Sequence, residues 1–183
     1  AAIIIKAPEA PTAGASKTAA ADDNTHHYTS AEMMKTSRFW IFFLWAIALN
    51  SAGLMVINSA ANISVAYGGS AVLGMIVSLF NGAGRIVAGN NFDRFGRKTS
   101  SIVNNIFMII AGALLIAGGV SHSLILVVIG LIFVGLSYGG TPTITSAYVN
   151  KAFGAKYFAT NFSIANFSLI PAAIIGPIIS AKL

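Results

Sequence analysis

The chain has 183 residues, 56% of them hydrophobic and only 9% charged, with a net charge of +6 and a mean hydropathy of +0.78. A soluble domain carries about 25% charged residues, and a soluble fold of this size cannot bury so much apolar surface. The composition therefore excludes an ordinary soluble domain and points to lipid as the solvent. The basic residues stand in the gaps between apolar runs, a pattern that fits membrane topology and argues against nucleic acid as a partner. With no cysteine, disulfides and thiolate metal sites are excluded.

In chain order, Ala1 to Ile5 is apolar and stops at Lys6, Pro8 and Pro11. It reads as the last turns of a helix that begins upstream, so the chain is expected to be a fragment of something longer. Residues 7–37, rich in Ala, Thr, Ser and Pro, read as a flexible linker. The pair His26-His27 is expected to be solvated, because no third metal ligand stands at a suitable spacing. Five hydrophobic spans follow, near Phe39–Ala61, Ala71–Phe92, Ile102–Val120, Leu124–Tyr148 and Phe158–Ser180. Each approximates the ~20 apolar residues that a helix needs to cross a bilayer. Strands are excluded, since an open sheet edge in lipid leaves backbone groups unpaired and the alternation of a barrel is absent. The expected fold is an all-α membrane protein of five transmembrane helices, with residues 1–37 as linker and 38–183 as bundle.

Lysine and arginine set the topology. Lys6, Lys17, Lys35 and Arg38 precede the first span, Arg94, Arg97 and Lys98 separate the second and third, and Lys151 and Lys156 separate the fourth and fifth. The other two loops, residues 62–70 and 121–123, carry none. The basic side is therefore expected to be cytoplasmic, in an integral protein of the plasma or inner membrane. Trp40 and Trp45 fit a helix passing through that interface, although Trp45 is deep enough to pack on a neighbour instead.

No span contains Asp, Glu or His, so the spans offer neither an acid–base pair for catalysis nor a carboxylate proton relay. No enzyme activity, cofactor or metal is expected. Arg85 is the one charge inside a span. An arginine at depth costs about 2.5–3.5 kcal/mol to insert, so it must face protein or a wet cavity. Ser78, Asn81 and Arg85 fall at i, i+3 and i+7, one polar stripe on one helix face. A guanidinium there is suited to clamp a carboxylate through both oxygens; the bland readings are snorkelling to headgroups or pairing with helix carbonyls. Tyr138, Thr141, Thr145 and Tyr148 share a face of the fourth span, Ser51 and Asn58 one of the first, and Asn166 stands in the fifth. All of these can also serve as glue between helices. Gly139-Gly140-Thr141-Pro142 is expected to break or bend the fourth span and to line a cavity.

The turn Gly89-x-x-x-Asp93-Arg94-x-Gly96-Arg97-Lys98 resembles the cytoplasmic loop motif of the major facilitator superfamily, which there follows the second and eighth of twelve helices. Glu32-Met33-Met34-Lys35-Thr36-Ser37-Arg38-Phe39-Trp40 resembles the start of the seventh helix in the oxalate:formate antiporter family. Ala52-Gly53-Leu54-Met55, Phe80-Asn81-Gly82-Ala83-Gly84-Arg85 and Ile175-Gly176-Pro177 are similar to that family in the same order. The resemblance covers essentially the whole chain. It implies that residues 1–5 end the sixth helix and that 6–37 form the central cytoplasmic loop. The spans would then be helices seven to eleven, with helix twelve and the N-terminal half outside the chain. It implies secondary transport of a small organic anion by alternating access. Arg85 would contact the substrate from helix eight, with Asn81, Ser78, Tyr138 and Asn166 as further candidates.

One departure narrows the substrate. Oxalate carriers of this family pair a basic residue on helix eight with a lysine on helix eleven, and 158–181 contains no basic residue. A monocarboxylate such as formate, lactate or pyruvate is therefore expected rather than a dicarboxylate. In the loop itself, Asp93 is expected to approach the N-terminus of the last span near Lys156–Phe158, where the helix dipole attracts a carboxylate. With Gly89, Arg94, Gly96, Arg97 and Lys98, it would hold the cytoplasmic side closed. The alternatives are a plain solvated turn, a carrier of another solute in which Arg85 is structural, and a non-transporting membrane sensor or scaffold.

Overall fold

A computed structural model describes residues 26–181, and among them every regular element is a helix: α1 (Ser30–Met34), α2 (Ser37–Ala66), α3 (Ala71–Gly74), α4 (Ile76–Ser121), α5 (Leu124–Phe153), α6 (Phe158–Asn166) and α7 (Leu169–Ser180). The expected end of a helix at Ala1–Ile5, the linker up to Thr25 and Lys182 lie outside the described residues. Ser37–Ala66, Ala71–Ser121, Leu124–Phe153 and Phe158–Ser180 are each long and apolar enough to cross a membrane.

α4 makes two of the crossings. Its 46 residues would span about 69 Å as one rod, more than twice the ~30 Å hydrocarbon core. At Gly96 the backbone takes φ 75°, ψ −178°, a left-handed value that glycine alone adopts freely. Packing gives the directions. From Val77 against Gly135 to Ala88 against Gly140, the numbering of the first half rises with that of α5. In the second half Asn104 meets Gly140, Leu115 meets Gly130 and Gly118 meets Val127, so the numbering runs oppositely. The halves are thus antiparallel, and the five expected crossings are present. The expected loop of residues 89–98 is corrected. Helix runs through Phe95 and resumes at Arg97, because only Gly96 leaves helical geometry. The motif's charges therefore sit on helix ends rather than on a slack turn.

α2 runs with α7, since Gly176 lies against Ser51 and Met55 and the Ser59 and Ser180 hydroxyls are 2.9 Å apart. It runs against α5, with Phe42 stacked on Tyr148 at 4.1 Å and Gly53 under the ring of Tyr138. The fifth crossing is broken at Phe167-Ser168. Pro171 explains the break: it has no N–H for the Phe167 carbonyl and its ring crowds that oxygen. In the first turn of the new helix α7 the same residue is tolerated.

α5 lies at the centre, with half of its most apolar stretch buried. The expected break at Gly139-Gly140-Thr141-Pro142 does not occur; the helix continues through it. The glycines instead admit neighbours. A Cβ on Gly139 would overlap the Asn81 carbonyl, and one on Gly140 the Asn104 amide. Thr141 and Ser137 complete the contact, Asn104 Nδ2 donating to Thr141 Oγ1 at 3.2 Å and Ser137 Oγ donating to the Asn104 carbonyl at 3.0 Å. Trp45 packs on a neighbour, donating from Nε1 to Asn105 Oδ1 at 2.9 Å.

The end of the linker is not flexible as expected. Thr29 caps α1 in a reciprocal capping box with Glu32, Met33 is fully buried, and Trp40 Nε1 donates to the Met34 carbonyl at 2.7 Å. Asn161 ties this strap to α6: its Nδ2 donates to the Tyr28 carbonyl at 3.0 Å, and its Oδ1 accepts from Ser30 Oγ at 2.9 Å. His26 and His27 are exposed, and among the described residues no three His, Cys, Asp or Glu side chains gather as metal ligands.

Two consequences are measurable. Gly139→Ala in the full-length protein should lower thermal stability by about 1–3 kcal/mol, the range for overpacking. Gly112→Ala, where nothing lies within 4 Å, should leave it unchanged or raise it by up to about 1 kcal/mol. Equal melting curves would remove the backbone contact as the holding element. Secondly, hydrogen bonds from the Thr29 N–H, then from its hydroxyl, hold the Glu32 carboxyl below the usual carboxylate range. Its folded value is depressed, so the strap's cap is intact above the ordinary carboxylate range and is lost as pH falls through the folded value. Trp40 emission, with every other tryptophan replaced by Phe, should shift on such acidification. In Glu32→Gln, which still accepts both hydrogen bonds, it should stay flat.

Candidate functional site

The first half of α4 and α5 run side by side and touch backbone to backbone. A Cβ on Gly84 would overlap the Leu136 carbonyl, and one on Gly139 the Asn81 carbonyl. Toward the basic end a cleft of about 450 Å³ opens between them. Arg85, Gly89 and Asp93 line it from α4, Thr143, Ser146 and Asn150 from α5, and Phe162 from α6. Pro142 also faces it. Because Pro142 has no N–H, the Tyr138 carbonyl one turn earlier lacks its helical donor.

Arg85 is exposed. It stands seven residues before Phe92, where the apolar run ends, or about 10 Å along the helix, roughly a third of the ~30 Å core. Tyr138, one turn before Pro142 on α5, is half-buried. Asn81 is half-buried with its Oδ1 buried and unpartnered, and Ser78 is exposed on the same stripe. Asn166, half-buried, ends α6 one turn after Phe162 and so shares its side of the helix.

The expected residues divide into groups. Arg85, Gly89 and Asp93 meet in the cleft, with Asn81, Ser78 and Tyr138 above it. Arg97 and Lys98 line a different cavity, with Arg38, Tyr148 and Lys151. Arg94 is exposed and lines neither, and Gly96 makes the turn. Asp93 is exposed, and the α6 residue beside it in the cleft is Phe162.

The face of α5 singled out by sequence is mostly glue. Thr141 and Thr145 are buried and return hydrogen bonds to carbonyls one turn back, and Tyr148 donates to the Arg38 carbonyl at 3.3 Å. The cleft is lined by the adjacent face, Thr143, Ser146 and Asn150, whose three- and four-residue spacing was the available signal. Ser51 Oγ is buried without a partner, and Asn58 is exposed.

A search among curated proteins gave no match. The family described as Major Facilitator Superfamily matches residues 1–179. Nearly the whole length is covered, and the five alternating crossings around a polar cleft are its setting. The chain belongs to the Major Facilitator Superfamily, a family of membrane transporters.

Proposed function

We propose that the protein exchanges small organic anions, monocarboxylates foremost, by alternating access, with the basic end cytoplasmic. The observation that carries this is Arg85, a permanent cation about two turns inside the apolar span on the wall of a cleft of about 450 Å³. A guanidinium binds a carboxylate through two parallel hydrogen bonds, and low dielectric strengthens both. Thr143, Ser146 and Asn150 supply neutral donors and acceptors around it. Arg85 is the one cation among the cleft's lining residues, which favours one substrate carboxylate over two. The Tyr138 carbonyl, which Pro142 leaves without its helical donor, can take a proton-bearing group or a water.

Asp93 belongs to the gate rather than to the substrate. It stands eight residues from Arg85 on one helix, about 12 Å along the axis, too far for a direct pair. At the mouth of the cleft, beside the first turns of α6, its carboxylate can engage the donors of that helix terminus when the cytoplasmic side closes.

Counterflow of labelled formate, pyruvate and oxalate into vesicles bearing the full-length protein tests the anion reading. Formate and pyruvate should exchange. Arg85→Gln should lower their exchange about 10- to 100-fold, the equivalent of a charged hydrogen bond worth ~1.5–3 kcal/mol. Arg85→Lys, which keeps the charge and loses the fork, should fall in between. Unaltered uptake by Arg85→Gln would sink the proposal and leave the arginine structural, in a carrier of another solute.

Asp93→Asn should retain substrate binding while shifting the population toward the inward-open state. Accessibility labelling of a cysteine placed at Ser146 reads that shift. Wild-type rates with an unshifted labelling pattern would remove Asp93 from the gate.

A further inference from the structure

On the other side of α5 from the cleft, two cavities adjoin at the basic end. The larger, about 740 Å³, collects Arg38 from α2, Arg97 and Lys98 from the α4 turn, and Lys151 from the last turn of α5, with no carboxylate in its lining. Phe92 lines both this basin and the cleft, so its ring is the wall between them. The smaller cavity, about 380 Å³, is a groove whose apolar wall is Ile41, Phe42 and Trp45. Arg38, Arg97 and Tyr148 line both basin and groove, which makes them one continuous depression, cationic at one end and aromatic at the other.

The junction is built. The Arg97 guanidinium lies over the Tyr148 ring, 5.0 Å from its centroid, and the Tyr148 hydroxyl donates to the Arg38 carbonyl at 3.3 Å. Trp45 satisfies its indole N–H on Asn105, leaving its ring for apolar contact. Ile41 is 70% exposed. Four cations drawn from three elements repel one another unless an anion lies among them. A free phosphate would use the basin alone and find nothing in the groove. An amphiphile with an anionic head and a hydrocarbon tail matches both.

We propose that this depression binds one anionic phospholipid of the leaflet at the basic end. Its phosphate lies among Arg38, Arg97, Lys98 and Lys151, and an acyl chain lies along Ile41, Phe42 and Trp45. Guanidinium pairs suit phosphate oxygens geometrically, and basic pockets between transmembrane helices are suited to such headgroups. The site depends on the chain's residence in a bilayer and not on what Arg85 binds, so its test is separate from the transport assay.

The probe is a phospholipid brominated on its acyl chains, titrated in detergent micelles into full-length protein in which every tryptophan but Trp45 is replaced by Phe, while Trp45 emission is followed. Brominated phosphatidylglycerol should half-quench Trp45 at a mole fraction at least about tenfold lower than brominated phosphatidylcholine. Arg38→Gln with Lys151→Gln should erase that preference. Lys35→Gln with Lys156→Gln, which removes the same charge outside the basin, should keep it. Equal quenching by the two lipids, or equal loss in both double variants, would overturn the site. So would displacement of the lipid by inorganic pyrophosphate, which would indicate a free-anion pocket. Absence of quenching by either lipid would show the groove already covered in the full-length protein and would overturn it too. The two-lipid comparison on protein with all four cations stands even if a double variant fails to fold.

Discussion

The bundle depends on how closely the first half of α4 approaches α5. Between helices in lipid there is no hydrophobic gain from association, since hydrocarbon tails are as apolar as leucine; close packing and interhelical hydrogen bonds must supply it. At Gly84 and Gly139 the two backbones meet with no side chain between them. The same device recurs where Gly74 lies against Ala61, with 2.6 Å to a built Cβ, and where Gly176 lies against the Ser51 carbonyl, at 2.8 Å. Each close approach admits dispersion contact along whole turns, individually small and collectively large. It also fixes the rotation of α4, and with it the direction in which Arg85 and Asp93 leave the helix.

Most polar groups that α5 meets on the second half of α4 are satisfied, although Ser100 Oγ there is buried without a partner. Asn104, Ser137, Thr141 and Thr145 close on one another and on carbonyls. Where the first half of α4 meets α5, Asn81 Oδ1 is buried without a partner, and Pro142 leaves the Tyr138 carbonyl without its helical donor. A buried unsatisfied group costs about 1–3 kcal/mol. The freed Tyr138 carbonyl stands one turn before Pro142, which lines the cleft. The aromatic cluster of Met33, Phe39, Tyr148, Val149, Phe153 and Ala165 closes the basic end and carries the strap that begins at Tyr28.

Much of this was legible in the sequence because hydropathy and charge are one-dimensional. The crossings, their alternation and the isolation of Arg85 follow from where apolar runs stop and where lysine and arginine stand. What was not legible depends on partners far away in the chain. Gly139-Gly140-Thr141-Pro142 carries every local signal of a break, yet the helix continues, because Asn81 and Asn104 occupy the space that the glycines leave. The face of α5 bearing Thr141 and Thr145 is as polar as the one bearing Thr143 and Ser146. Only the placement of the second half of α4 decides which is buried. The helix at Ser30–Met34 was missed although Thr29-x-x-Glu32 is a capping-box pattern, because a five-residue helix has no periodicity to read and draws its stability from Met33 in the bundle.

The motif from Gly89 to Lys98 looks like one charged loop, and the fold makes it two devices. Asp93, before Gly96, lines the cleft; Arg97 and Lys98, after it, line the basin on the other side of Phe92. The division rests on a single backbone geometry. Each residue of helix turns the chain by about 100°, so moving the left-handed position by one residue would carry the acid and the bases onto different faces. The glycine at φ 75° therefore fixes more than a change of direction. It keeps the negative charge of the motif in the cleft with Arg85 and its positive charges in the basin with Arg38 and Lys151. The two can then act on the same helix end without neutralising each other.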